Sequence, residues 1–244
     1  MGISVIQSLW VQETINLLIT GANRGIGLAI TDLALSRGER VFAGCRQPAR
    51  AIDLINLQRR YSDECEILSI DVVDEKSLRE AALKVTEHID LLVCNAGTLN
   101  GYGGIMSAEN TMESFRNVLT TNAAGPFFTT RSFLPHLKRS KSGGRVAIIS
   151  SLMGSQSHTA SNAYAYRSSK AAANNVALTL SNELRDEKIA VAAYHPGWVR
   201  TEMGGPNGDI AANESATGLM QRFDELSLAD SGCFINYNGE RLAL

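Results

Sequence analysis

Residues 15–38 read INLLITGANRGIGLAITDLALSRG. An almost uninterrupted apolar run stops at Gly21, and beyond Gly25 the apolar residues recur at helical spacing. A strand that is apolar on both sides is one buried on both faces, as in a parallel sheet. The turn carries Gly21, Gly25 and Gly27, with Asn23, Arg24 and Ile26 among them. Glycines there allow a tight turn, the approach of backbone amides to a phosphate and close packing of helix on sheet, while a helix N-terminus favours negative charge. A plain strand-to-helix turn can need glycines for geometry alone. The position of this one, at the head of an alternating chain, favours a nucleotide.

Working outward, short apolar runs recur at INLLIT, RVFAGC, EILSI, DLLVCN, GRVAIIS, IAVAAYH and CFINYN. Helical stretches separate them at 25–38, 49–61, 74–88, 112–140 and 161–187. This alternation predicts an α/β fold: a single doubly wound Rossmann-type domain over 16–244, with a mostly parallel seven-stranded sheet and helices on both faces. Residues 1–15 form an extension of uncertain structure. The pattern breaks at TEMGGPNGDIAAN, followed by the amphipathic ESATGLMQRFDEL. Long irregular segments in compact domains are usually functional, so a substrate lid is expected at about 201–226.

The chain has 244 residues, an apolar fraction of 44%, a charged fraction of 20% and a net charge of −2, which suits a globular protein with a substantial core. No run of basic residues interleaved with aromatics suggests nucleic acid. The N-terminal stretch lacks a basic flank and is too short to span a bilayer, so no membrane association is expected. Cys45, Cys65, Cys94 and Cys233 are scattered, without metal spacing, and Cys45 and Cys94 sit in apolar strands as inert thiols. A reducing, cytoplasmic setting and no metal site follow as expectations.

The second strand ends FAGCRQ, where an acid would otherwise hold the adenine ribose hydroxyls of a dinucleotide. Arg46 stands there instead, and Arg24 lies in the glycine loop. Two guanidinium groups near one ribose suit a 2′-phosphate, so the expected cofactor is NADP(H). Further on, NAYAYRSSKAAAN places Tyr166 and Lys170 four apart, on one helix face. A phenol held beside an ammonium is easier to deprotonate.

TGANRGIG, NAG at Asn95, Ala96 and Gly97, YRSSK at 166–170 and HPGWVRT at 195–201 together resemble the short-chain dehydrogenase/reductase family. The resemblance runs from Asn16 onward, in the family's order. YAYRSSKAA, HPGWVRTEMGG and FINYNGE are most similar to its sniffer and C-factor type NADPH-dependent carbonyl reductases. The resemblance implies that Tyr166 exchanges a proton with substrate and that Lys170 lowers its pKa and holds the nicotinamide ribose. It also implies that Ser151, with Ser150 as rival, binds the substrate oxygen, and that Asn122 supports the lysine. Asp71 and Val72 would border the adenine, Asn95, Ala96 and Gly97 the cofactor floor, and Pro196, Gly197, Val199 and Thr201 the nicotinamide amide. Asp74 is the cap expected for the next helix, and His195 is read as structural. Between Ser151 and Tyr166 lie two more residues than in many members.

The implied reaction is reversible reduction of a ketone, aldehyde or quinone. Leu99, Tyr102, Met106, Leu152, Met153 and Trp198 suggest a small apolar carbonyl or alcohol substrate. The rival readings are a cofactor-binding regulatory protein and an acyl-carrier-linked ketoreductase, the latter needing a basic patch beside the pocket, whereas Arg131, Lys138, Arg139 and Lys141 cluster at the end of the long fourth helix, far in sequence from the lid. The resemblance implies a homodimer or homotetramer.

Overall fold

The computed structural model of the protein describes residues 14–244. All but the last two residues of the expected 1–15 extension lie outside them. The chain order is β1 Asn16–Thr20, α1 Gly25–Ser36, β2 Arg40–Cys45, α2 Ile52–Arg60, β3 Cys65–Ser69, α3 Glu75–Lys84, β4 Leu91–Cys94, α4 Met112–Leu119, α5 Gly125–Leu137, β5 Arg145–Ile149 and α6 Tyr164–Glu183. It continues with β6 Ala190–His195, β7 Val199–Arg200, β8 Ile210–Ala211, α7 Ala212–Glu225, β9 Phe234–Asn236 and β10 Arg241–Leu242.

The main sheet has the order β3-β2-β1-β4-β5-β6-β9-β10 and is parallel except at the β9–β10 edge. Side chains alternate across a strand. Leu17 and Ile19 therefore join one core with residues of α1, α2 and α7, while Leu18 joins the other with residues of α3, α5 and α6. The same alternation sends Val41 and Ala43 one way and Phe42 the other. Both faces are covered, which is why the strands read as continuous apolar runs.

Three sequence expectations change. The sheet has eight strands, not seven, because Arg241–Leu242 returns antiparallel to β9. Two residues are too few to show a period. The single helix read at 112–140 is α4, a π-helical turn at Thr120–Ala124, and α5. Pro126 has no N–H to give the carbonyl of Asn122 four residues back, which accounts for the widened turn. The segment at 201–226, expected as a lid, divides in two: α7 buries Ala216, Leu219, Met220 and Phe223 in the core, and residues 201–211 form an excursion closed by the short β7–β8 pair.

Asp74 caps α3, accepting a hydrogen bond from the Lys76 amide as expected. Cys45, Cys65 and Cys94 are buried free thiols, and burial pushes Cys65 up to about 11 and Cys94 up to about 12. Thiols so placed stay protonated and unreactive. Among the described residues no helix is long and apolar enough to cross a membrane.

Candidate active site

Strand order reverses at β1, whose neighbours are β2 and β4, and a crevice opens at the carboxyl ends of strands beside such a switch point. Here it is a cavity of about 950 Å³. Of the residues expected to bind cofactor, Gly21, Asn23, Arg24, Gly25, Ile26, Arg46, Asp71, Val72, Asn95, Ala96, Gly97, Tyr166, Lys170, Pro196 and Thr201 line it. Gly27, Gly197 and Val199 do not, nor do Asn122 and Ser151.

The glycine loop is shaped for an anion. Gly21 and Gly25 have φ of +65° and +56°, the left-handed region that side chains avoid. A Cβ on Gly27 would lie 2.3 Å from the carbonyl oxygen of Gly21, so only glycine lets α1 come this close to the turn. The first turn of α1 holds no acidic residue and its N-cap residue, Arg24, makes no side-chain capping bond, which leaves donors and a positive helix end at the cavity. Asn95 braces the loop from β4, its Nδ2 donating to the carbonyls of Thr20 and Gly21 at 2.9 and 3.1 Å.

Among the described residues Arg24, Arg46, Arg50, Arg116 and Lys170 line the cavity, against Asp71 and Glu202. This balance suits a polyanion. Arg50 and Gln47, on the turn after β2, were missed in the sequence, although RQPAR places a second arginine four residues beyond Arg46. Asp71 serves partly as a turn residue, since Oδ1 accepts from the Val73 amide at 3.1 Å.

At the inner end Tyr166 and Lys170 come together: Lys170 Nζ lies 5.6 Å from the centre of the Tyr166 ring. Tyr166 is hydrogen-bonded to Ser151, but burial outweighs that bond and pushes the phenol up to about 12. Burial also holds Lys170 down at about 8. Desolvation thus opposes both charged forms, against the help that a neighbouring ammonium gives to an ionising phenol. Ser150 lines the cavity but is 1% exposed, with its hydroxyl donating to the Lys170 carbonyl at 3.2 Å. Ser151 caps the turn at Leu152–Gly154 and is the serine that meets the phenol.

Asn122, 1% exposed, sits on the π-helical turn behind the cavity. Its Oδ1 accepts from the Thr98 amide at 2.8 Å, and its Nδ2 donates to the Thr98 carbonyl at 2.8 Å and to Ser169 Oγ at 3.0 Å. It thereby ties the loop after β4 to α6. Thr98 and Ser169 have no sequence signal of their own. His195, at the end of β6, is held down at about 4, chiefly by burial, which fits a structural role.

Leu99 and Tyr102 line a second, open hollow of about 640 Å³ with Glu109 and Glu113; it adjoins the first at Asn100 and Asn117. Tyr102, Met106 and Trp198 are exposed on the surface.

The profile of the short chain dehydrogenases matches residues 16–210. The chain belongs to that family. Among this short-chain dehydrogenase's relatives is the C-signal protein of Myxococcus xanthus, 38% identical over 157 residues, covering 63% of this chain and 92% of that protein. An uncharacterised oxidoreductase of Schizosaccharomyces pombe is 31% identical over 246 residues, covering 91% of this chain and 94% of its own. Two solved structures are similar across nearly the whole length. One is an NADPH-bound carbonyl reductase from chicken fatty liver, with TM-score 0.87, 33% identity, and coverage of 95% of this chain and 99% of that one. The other is the carbonyl reductase Sniffer of D. melanogaster, with TM-score 0.89, 28% identity, and coverage of 95% and 100%.

Proposed function

We propose that this short-chain dehydrogenase is an NADP(H)-dependent carbonyl reductase acting on a small apolar ketone, aldehyde or quinone. The observation that carries the reading is the meeting of Tyr166 and Lys170 in a cleft whose walls are rich in arginine, with Ser151 hydrogen-bonded to the phenol. The fit to the cofactor rests on the donor set: free amides at the start of α1, and arginines where an unphosphorylated ribose would want an acid. When bound, the nicotinamide supplies a hydride to the carbonyl carbon.

The chain's own residues do the rest. A phenol that keeps its proton at neutral pH is the right group to donate to an oxygen becoming an alcohol. Ser151 and Tyr166 together orient that oxygen by hydrogen bonds. Lys170, with its ammonium near the ring, offsets negative charge left on the phenol. Asn122 fixes the loop and helix that carry these groups. Met153, two residues beyond Ser151 in sequence, favours an apolar substrate.

The basic residues around the end of α5 argue against an acyl-carrier dock. Arg131 pairs with Glu75, Lys138 with Glu187, and Arg139 donates to the carbonyls of Thr86 and Glu87. A cytoplasmic homodimer or homotetramer completes the proposal. The test is NADPH oxidation with a panel of apolar ketones, aldehydes and quinones, beside NADH and Tyr166→Phe. Turnover that survives in Tyr166→Phe overturns the mechanism. Tight NADPH binding without turnover on any carbonyl favours a regulatory role instead.

A further inference from the structure

The arginines of the cleft are not equally available. Among the described residues the Arg46 side chain makes no hydrogen bond or ion pair, and the Arg50 guanidinium makes only a long contact, 3.4 Å from Nη1 to Gln47 Oε1. Arg24 is already engaged: its guanidinium forms an ion pair with Glu202, across the mouth of the glycine loop. Among the described residues Glu202 is also the one carboxylate besides Asp71 that lines the cavity.

Glu202 is held there by its own segment. Thr201 bridges to Gly205, Trp198 Nε1 donates to the Gly204 carbonyl at 2.8 Å, and Arg200 Nη1 donates to the carbonyls of Gly208 and Asp209, each at 2.8 Å. The Thr201 methyl stands 3.4 Å from where a Cβ on Gly25 would be. The turn is thus docked on the glycine loop with its carboxylate beside Arg24.

We infer that Glu202 tunes cofactor choice by competing with a 2′-phosphate for Arg24. This rests on the reading of the cleft as an NADP(H) site. A 2′-phosphate and a carboxylate are like charges drawn to one guanidinium, and holding both costs repulsion. The two side chains are 60% and 77% exposed, so the ion pair is weak enough to be exchanged. A ribose hydroxyl is neutral and makes no such claim on Arg24. Repulsion between Glu202 and the pyrophosphate is common to both cofactors and cancels in their ratio. Glu202 therefore lowers the preference for NADPH over NADH that Arg24, Arg46 and Arg50 would otherwise impose.

The test measures dissociation constants of NADPH and NADH with the full chain, for the wild type, Glu202→Gln, Arg24→Gln and the double variant, at low and high salt. Glu202→Gln is expected to raise the preference for NADPH over NADH, read as the ratio of the two dissociation constants, by about threefold, the size of one exposed ion pair. The gain should vanish in the Arg24→Gln background and shrink at high salt. An unchanged or lower preference, an equal gain for both cofactors, or a gain that persists without Arg24 overturns the inference. A wild type that binds no NADPH overturns the cofactor reading itself, an outcome distinct from binding that ignores Glu202.

Discussion

Lys170 donates from Nζ to the carbonyl oxygen of Ile149, 2.8 Å away, in the buried floor of the cleft. One bond from the end of β5 holds the ammonium, and desolvation leaves it titrating at about 8 against an ordinary value of 10.5. Because the folded-state pKa is lowered, the unfolded chain binds more protons between these values. Stability should therefore rise as pH goes from about 8 to about 10.5. Lys170→Met should abolish that rise in chemical denaturation, raise stability below pH 8, and cost turnover; an unchanged pH slope refutes the assignment.

Tyr166→Phe removes the proton and keeps the ring. Turnover should fall by roughly 10²–10⁴-fold with NADPH affinity unchanged, as for loss of a positioned general acid. Steady-state kinetics and a binding titration on the same preparation check both halves. A parallel loss of NADPH binding contradicts the proton-donor role.

His195 and Glu39 should pull stability in opposite directions with pH. His195 is lowered to about 4 from 6.5, so its contribution grows as pH rises through that window. Glu39 is raised to about 7 from 4.5, mainly by burial, so its contribution falls as pH rises through its own. The two offset each other in the wild type. Glu39→Gln should unmask a rising profile and His195→Gln a falling one, each with a slope of up to about 1.4 kcal/mol per pH unit. Thermal melts at a series of pH values read this directly.

Asn122→Leu leaves the Thr98 amide and carbonyl and the Ser169 hydroxyl without that partner. Unpartnered buried groups cost about 1–3 kcal/mol each, although Ser169 keeps its bond to the Tyr166 carbonyl. Denaturant unfolding should show a loss of about 2 kcal/mol or more, and turnover should drop as the β4 loop and α6 lose their tie. A fully stable Asn122→Leu variant is incompatible with this network.

Gly27→Ala should be disproportionately harmful for one methyl group. Its Cβ would sit 2.3 Å from the Gly21 carbonyl oxygen and 2.5 Å from Asn95 Nδ2, so the loop that faces the cofactor must shift. NADPH binding should weaken by at least about tenfold, with a stability loss of about 1–3 kcal/mol as for other overpacked sites. A titration beside a melting curve tests it, and normal binding shows that the loop tolerates the added methyl.

The legible parts were those that local chemistry dictates. Buried parallel strands are apolar on both faces, so β1, β4 and β5 stand out, and the period-four pair Tyr166 and Lys170 is visible because a helix superposes such positions. β10 was not legible, since Arg241–Leu242 is defined by pairing with β9 and not by any pattern of its own. The π-helical turn leaves a trace only in Pro126, and α7 hides its core role because a helix covered by α1 and the sheet has the same amphipathic spacing as one lying over a substrate.

By itself the sequence determined the alternation of the main strands with helices, the glycine loop, and which residue types wait at strand ends, because these depend on periodicity and backbone freedom within a few residues. Tertiary structure alone decided which groups meet: Asn122 with Ser169, Lys170 with Ile149, and Arg24 with Glu202, pairs separated by 47, 21 and 178 positions. It also decided the electrostatics. Whether Tyr166 and Lys170 hold or release a proton depends on how much water the surrounding fold removes, a property of the packed cleft and of no short stretch of chain.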